Sequence, residues 1–446
     1  MTERVLRLAA IGGDGIGPEV VAATLPVLAA AVEGGGGTLV VSDLDWGGER
    51  YLRTGEVAPA DAPDIVRNFD AVLFGAVGRY DVPDDIPVWD LVIRLRQGLQ
   101  LAVNVRPVHA FPGVPSPVRD VEGVDFVVVR ENTEGEYAGI GGRAHGGTGA
   151  EIAVEVAVHS AAAIRRVAGY AFQEARRRSA PLVAVSKSNA MRHGYALWDQ
   201  VVAEVAAGFP DVAWERVFVD AMAARMIERP RSLGVVLASN LFGDILSDLG
   251  AVLGGGLGMA PSANICADGS GVGLFEPVHG SAPDIAGSGA ANPLGCVLSG
   301  AMLLDHTGFA AAAARVRDAV AVTVADLTAR TPDIGGRATT AQVAARLLDA
   351  VTARRRPARS ERDSVGRPGL TAREAGTRAG MTQTPDAEDQ PDRATTVGET
   401  GGLPGRNAAP EASQLSEDEM ADTVSGAGPA GGTAADEPES STAGNG

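Results

Sequence analysis

Six apolar runs, each about the length of a strand, are separated by stretches with helical spacing, and this alternation limits the fold more than any other feature. The runs are Arg7–Ile11, Ala71–Phe74, Phe126–Val129, Leu182–Val185, Val217–Asp220 and Val235–Ala238; helical stretches include Pro18–Val32, Ala161–Arg178 and Leu197–Ala207. Strands divided by helices cannot pair through tight hairpins. They return by crossovers, which produce a parallel sheet with helices on both faces. The chain is therefore expected to be α/β from Val5 to Ala350, without internal repeats.

From Thr352 the composition shifts to Gly, Pro, Thr, Ser, Glu and Asp, beginning with Arg354, Arg355 and Arg356. So little apolar surface cannot offset the entropy of ordering, and 352–446 is expected to be a disordered tail. No run of about 18 apolar residues marks a membrane span. The start carries no pattern of a secretory signal, and the two cysteines, Cys266 and Cys296, are too few for a disulfide framework. These features suggest a cytoplasmic protein. A net charge of −18 argues against nucleic acid or an anionic membrane as the partner.

Of 38 basic residues, Lys187 is the only lysine. Arginine stays charged at any accessible pH, whereas lysine can give up its proton, so Lys187 is a candidate for acid–base work. The turn Gly12-Gly13-Asp14-Gly15-Ile16-Gly17-Pro18-Glu19 follows a strand and opens a helix, but Pro18 stands where a dinucleotide fingerprint needs its third glycine. A tight structural turn and a phosphate loop both remain open. Arg96, Arg106 and Arg130 could clasp a di- or tricarboxylic acid with their planar forks, or form surface ion pairs. Asp244 and Asp248, spaced i and i+4, share one helix face, where a divalent cation would relieve their repulsion; a helix cap and a solvated charge would also explain them. Asp220 closes an apolar run. The loop Glu276–Gly287 is rich in small residues and could wrap a nucleotide with its amides.

Together these segments resemble the β-decarboxylating dehydrogenases, the isocitrate/isopropylmalate dehydrogenase family, from about Leu8 to Leu348. The wording Val129-Arg130-Glu131-Asn132-Thr133-Glu134-Gly135-Glu136-Tyr137, with Ser188-Asn189, Ala260-Pro261-Ser262-Ala263-Asn264 and Arg330-Thr331-Pro332-Asp333, is most similar to the tartrate/D-malate branch. The resemblance implies a two-domain fold with a large, mostly parallel sheet and no Rossmann site. Residues 1–101 and 255–351 would form the large nucleotide-binding domain, and 102–254 a small dimerisation and substrate domain. It further implies a homodimer with shared active sites, each borrowing Lys187 and Asp220 from the partner.

By the same resemblance, Arg96, Arg106 and Arg130 hold the malate part of the substrate. Asp220, Asp244 and Asp248 bind Mg²⁺ or Mn²⁺. His279, Gly280, Ser281, Ala282, Asp284, Ile285 and Asn292 contact NAD, with Asn189 near the nicotinamide ribose. Lys187, Tyr137 and Asp220 are the implied catalytic group: Lys187 takes the 2-hydroxyl proton during hydride transfer, and Tyr137 protonates the enol left after CO₂ departs. Trp89, Val92 and Ile93, on the turns before Arg96, would form the wall facing the third carbon's substituent. An aromatic usual in the family is replaced by Ala102, and the segment from Met191 to Tyr195 departs from the familiar branches. The expected activity is oxidative decarboxylation of a (2R)-malate-type acid, D-malate or tartrate. Alternatives are 3-isopropylmalate or another 3-substituted malate and, in a different class, a catalytically silent regulatory subunit. That last reading requires lost catalytic positions, yet Lys187, Tyr137 and the three aspartates are all in place.

Overall fold

The computed structural model describes residues 4–353. Strands are labelled β1 Arg4–Gly13, β2 Gly37–Asp43, β3 Ala71–Ala76, β4 Val103–His109, β5 Asp125–Glu131, β6 Gly141–Ala144, β7 Ile152–Glu155, β8 Leu182–Ser186, β9 Trp214–Phe218, β10 Val235–Ala238, β11 Pro261–Ile265 and β12 Gly273–Pro277. Ten of them make one sheet in the order β2-β1-β3-β12-β11-β4-β5-β10-β8-β9. The four strands at one end run parallel, as do the four at the other. The halves meet through β11 and β4, whose pairings are antiparallel. The expected α/β sheet is thus mostly parallel, with an antiparallel seam that the apolar runs alone did not announce. β6 and β7 form a separate ribbon.

The helices cover the sheet for recognisable reasons. In Ala161–Arg178, Ser160 accepts from the Ala163 amide at 3.1 Å and three arginines fill the last turn. Cap and cations match the two ends of the helix dipole. Gly17–Glu33 packs on Leu294–His306 so closely that a Cβ on Gly300 would come within 2.8 Å of Leu28. One continuous apolar core includes Leu6, Leu28, Phe172, Trp198, Val297 and Leu347. No helix among the described residues is long and apolar enough to cross a membrane.

Two local expectations change. The run Val217–Asp220 does not end as a strand at Asp220: β9 stops at Phe218 and the helix Val219–Glu228 begins, with Asp220 in its first turn. A carboxylate is favoured there by the unpaired amides of the helix start. The last helix, Thr340–Thr352, opens with a capping box of Thr339 and Gln342 and keeps Val351 in the core. The tail reading therefore begins after this helix, and residues 354–446 lie outside those described. Removing 354–446 is expected to leave activity and Tm unchanged, whereas a cut after Ala350 should lower Tm because it takes Val351 away. Melting curves of both truncations check this; a large loss from the shorter deletion would show that those residues dock on the core.

Candidate active site

The pleat of the central strands puts chemistry on one face and packing on the other. Along β4, Val103 and Val105 join the main core while Asn104 and Arg106 point oppositely; along β5, Val127 and Val129 alternate with Val128 and Arg130. Arg106 and Arg130 are neighbours in the seam and are 7% and 2% exposed. The helix Asn240–Leu253 lies against them. A Cβ on Gly243 would stand 2.7 Å from Arg130, so a glycine is needed for that approach.

This helix presents Asp244 and Asp248 on the face predicted by their spacing. Asp244 pairs closely with Arg130 and at 3.2 Å with Arg106; Asp248 lies 3.6 Å from Arg106. Asn240 accepts from Arg130 Nε at 3.0 Å and Nη2 at 2.7 Å. Ser247 accepts from Arg106 at 2.7 Å. The Tyr137 hydroxyl reaches the other Asp244 oxygen at 3.4 Å, and its ring lies 5.7 Å from the Arg130 guanidinium. Arg96 faces the same cluster and donates to Glu276 at 2.9 Å.

Electrostatics bear on what the site can bind. Burial, and then the charge of Arg106, pull Arg130 down to about 9, with Asp244 opposing. Burial lowers Arg106 in the same way, and Arg96 adds to the effect. Burial pushes the Asp244 carboxyl up, but Arg130, Arg106 and Arg96 outweigh it and the net direction is down. Asp248 goes up through burial, against Arg106 and with the help of the Asp244 charge. Tyr137 also rises through burial, then through the Asp244 carboxylate, and so keeps its proton. Buried guanidiniums disfavoured by their surroundings gain from an added anion. A dicarboxylic acid would supply it.

Lys187 and Asp220 form a separate pair. Lys187 follows β8 and donates to Asp220 at 3.0 Å, and this bond holds the Asp220 carboxyl below its ordinary range. Asn189 is exposed beside Lys187. Among the described residues no group of three or more His, Cys, Asp or Glu is gathered for a metal. Asp220 therefore does not join Asp244 and Asp248 within one chain. Asp244 and Asp248 are suited to a hard cation as oxygen donors, but two carboxylates leave the expected set one short.

Trp89, Val92 and Ile93 lie on a π-helical stretch, Val88–Ile93, between Asp85–Pro87 and Arg94–Gly98. Such wider turns often accompany functional sites. Val92 belongs to a core cluster with Leu91 and Leu95, and Ile93 is also buried. Trp89 is different: it is 37% exposed, and a Cβ on Gly139 would lie 3.0 Å from its ring, close to Tyr137 in the chain. Of the three, Trp89 is the residue left with surface for a ligand. Ala102 is buried.

The glycine turn has a structural reason. Gly13 and Gly15 have φ of 71° and 57°, and a Cβ on either would sit 2.0 Å from a carbonyl oxygen, that of Ala76 or Ser281. Two of its amides are engaged: Asp14 N bonds Ala76 O at 2.7 Å and Ile16 N bonds Ser281 O at 2.8 Å. The buried Asp14 carboxylate accepts from the Gly48 and Gly78 amides, joining this turn to two further loops.

That arrangement holds the loop containing His279, Gly280, Ser281, Ala282, Asp284 and Ile285. His279 donates from Nδ1 to Gly280 O at 2.9 Å, while its buried Nε2 has no partner among the described residues. Burial lowers its pKa, so the ring is neutral at pH 7. A Cβ at Gly280 would meet nothing within 4 Å, leaving room for a ligand. Ala282 has a φ of 38°, a left-handed conformation costing a residue with a side chain about 1–3 kcal/mol. Asp284 and Ile285 are exposed, and Asp284 accepts from Tyr80. Asn292 is held by Asp333 at 2.9 Å. An unpartnered buried nitrogen, open space and a strained backbone fit a nucleotide loop.

Glu276, expected at the head of the nucleotide loop, instead lies in β12 and pairs with Arg96, and the asparagines beneath it were given no role by the sequence. Glu276, Asn264, Asn104 and Asn132 are buried and mutually bonded. Polar residues interrupting apolar strands were the available signal, in Asn104 of β4 and Asn264 of β11.

The family described as isocitrate/isopropylmalate dehydrogenase matches residues 7–351. A probable tartrate dehydrogenase/decarboxylase from Agrobacterium vitis is 46% identical over 353 residues, 78% of this chain and 98% of the relative. A 3-isopropylmalate dehydrogenase from Thermobifida fusca is 45% identical, over 76% of this chain and 96% of its own length. The crystal structure of isocitrate dehydrogenase from Methylococcus capsulatus superposes with a TM-score of 0.71 at 35% identity, covering 78% of this chain and 99% of that one. The match thus spans almost the full length of these proteins, and the chain is a β-decarboxylating dehydrogenase belonging to the isocitrate/isopropylmalate dehydrogenase family.

Proposed function

We propose that this protein catalyses NAD- and divalent-metal-dependent oxidative decarboxylation of a (2R)-malate-type 2-hydroxy acid, D-malate or tartrate, as a homodimer with shared sites. One observation carries the reading: three arginines, two aspartates and a tyrosine converge on one face of the antiparallel seam. The Agrobacterium relative, named for tartrate, supports the substrate class. The Thermobifida relative, at nearly equal identity, keeps 3-isopropylmalate as the alternative. In this reading residues 1–101 and 255–351 form the large nucleotide-binding domain, whose Arg96 and Trp89 also reach the substrate, and 102–254 the small dimerisation and substrate domain.

Arg96, Arg106 and Arg130 bind and orient the acid's carboxylates. Asp244 and Asp248, with Asp220 of a second copy, would hold Mg²⁺ or Mn²⁺, and His279, Asp284 and Asn292 would hold NAD, with Asn189 beside its nicotinamide ribose. When bound, these groups supply Lewis acidity at the 2-hydroxyl oxygen and a hydride acceptor at C2. Lys187 takes the 2-hydroxyl proton. Once CO₂ has left, the Tyr137 hydroxyl donates a proton to the enol carbon. Two observations support a shared dimer: among the described residues Asp220 joins no metal-ligating group of its own chain and pairs with Lys187 instead, and Ile152 and Val154 are 55% and 51% exposed on the β6–β7 ribbon. Such apolar exposure on a two-stranded ribbon invites cover.

The test is a panel of D-malate, tartrates, 3-isopropylmalate, isocitrate and homoisocitrate with NAD and Mn²⁺, following NADH. D-malate or a tartrate should give the highest kcat/KM; isocitrate as the best substrate would overturn the assignment. Trp89→Ala should move preference toward bulkier 3-alkylmalates by about 10-fold in relative kcat/KM, the scale of one or two methylenes in an apolar pocket. An unchanged preference order in that variant would remove Trp89 from the specificity wall.

A further inference from the structure

We infer that Glu276 is the positioning residue for Arg96, and that a buried asparagine node locks it in register with the other two arginines. This rests on the reading of Arg96 as a substrate-binding group. Arg106 and Arg130 both draw counter-charge from Asp244, whereas the ion pair of Arg96 is with Glu276, the two side chains being 13% and 9% exposed. A guanidinium this buried, whose charge reaches Arg106 and Arg130, needs its own carboxylate.

The node fixes Glu276 in turn. Glu276 Oε1, which accepts from Arg96 at 2.9 Å, also accepts from Asn264 Nδ2 at 2.8 Å. Asn264 donates further to Leu274 O at 3.1 Å, and its Oδ1 accepts from Asn104 at 2.9 Å and Asn132 at 3.0 Å. An amide with two donors on its oxygen and two acceptors on its nitrogen has one permitted orientation. Asn132 also donates to Leu101 O at 2.9 Å, and the Leu101 amide bonds Arg96 O at 2.8 Å. Side chain and backbone of Arg96 are therefore both tied to Asn132, two residues beyond Arg130. The links cross β12, β11 and β4 and end just past β5, spanning the seam between the parallel halves of the sheet. Glu276 touches no reacting atom in this account; it sets where the Arg96 fork stands.

A double-mutant cycle of Glu276→Gln and Arg96→Gln tests this, with steady-state kinetics on the best acid of the panel, NAD kinetics and melting curves. Glu276→Gln keeps an acceptor but loses the charge. It should lower kcat/KM for the acid on the order of 10²-fold, the scale of an ångström-sized misplacement, while KM for NAD stays unchanged. In the Arg96→Gln background the same change should cost less than about 3-fold, because its target is gone. Glu276→Asp restores the charge one methylene short and should show the same loss of kcat/KM at near-parental Tm. Additive effects, a matching rise in KM for NAD, or an undiminished kcat/KM would each overturn the inference while an active parent leaves the functional reading standing. A parent enzyme inert toward every acid of the panel would overturn both.

Discussion

Lys187→Arg is expected to lose turnover on the order of 10²-fold or more while its melting temperature stays close to the parent's. The fold has little reason to object. Lys187 sits just past β8, and its carbonyl is held by the amides of Ala190 and Met191, contacts indifferent to the side chain. The ion pair with Asp220 is on the outside of the chain, with side chains 26% and 68% exposed, and an arginine can form it too. What arginine cannot do is give up a proton and take one back within a catalytic cycle. The loss should therefore appear in kcat, with KM for the acid and for NAD changed little, because the grip on substrate belongs to Arg96, Arg106 and Arg130. Near-normal kcat in this variant would remove Lys187 as the base.

How far the sequence could be read depended on whether a feature was local. Strand and helix runs were legible because their apolar periodicity is local: Ala161–Arg178 has the expected bounds, and β8 and β10 fall where their runs stand. The fate of Asp220 was not, since a strand end and a helix start look alike when the boundary is a single extended residue, Phe218. The i, i+4 spacing of Asp244 and Asp248 foretold a shared face, but not that Arg106 and Arg130 would stand opposite it. That depends on β4 and β5 pairing antiparallel in the seam. Val92 was placed in the ligand wall by its nearness to Arg96, yet the winding of Val88–Ile93 turns it into the core and leaves Trp89 outside. Glu276 was read as the start of the nucleotide loop because its partner Arg96 lies 180 residues away in the chain. Its role exists only after β12 has come to lie beside β11.

Stripping divalent ions should abolish the reaction, and the two aspartates of the helix Asn240–Leu253 should respond differently to substitution. Asp248 is the cleaner probe. Its ion pair is a 3.6 Å approach to Arg106, and its side chain is 57% exposed. Asp248→Asn should therefore raise the Mn²⁺ concentration for half-maximal rate by about 10-fold or more, as loss of a hard anionic ligand does, without moving Tm much. Asp244→Asn should raise the metal requirement and lower stability together, because the same carboxylate neutralises Arg106 and Arg130. Removing the partner of a fully buried charge costs about 3–5 kcal/mol. Asp244 itself is 37% exposed, so water screens part of that and a loss of about 1–2 kcal/mol is the better expectation. Excess Mn²⁺ should restore the rate of Asp248→Asn more fully than that of Asp244→Asn, since added metal cannot replace the anion beside Arg130. Full activity of the parent in excess chelator would overturn the metal assignment. Equal responses of the two variants in metal requirement and Tm would show that Asp244 does not hold the arginines in place.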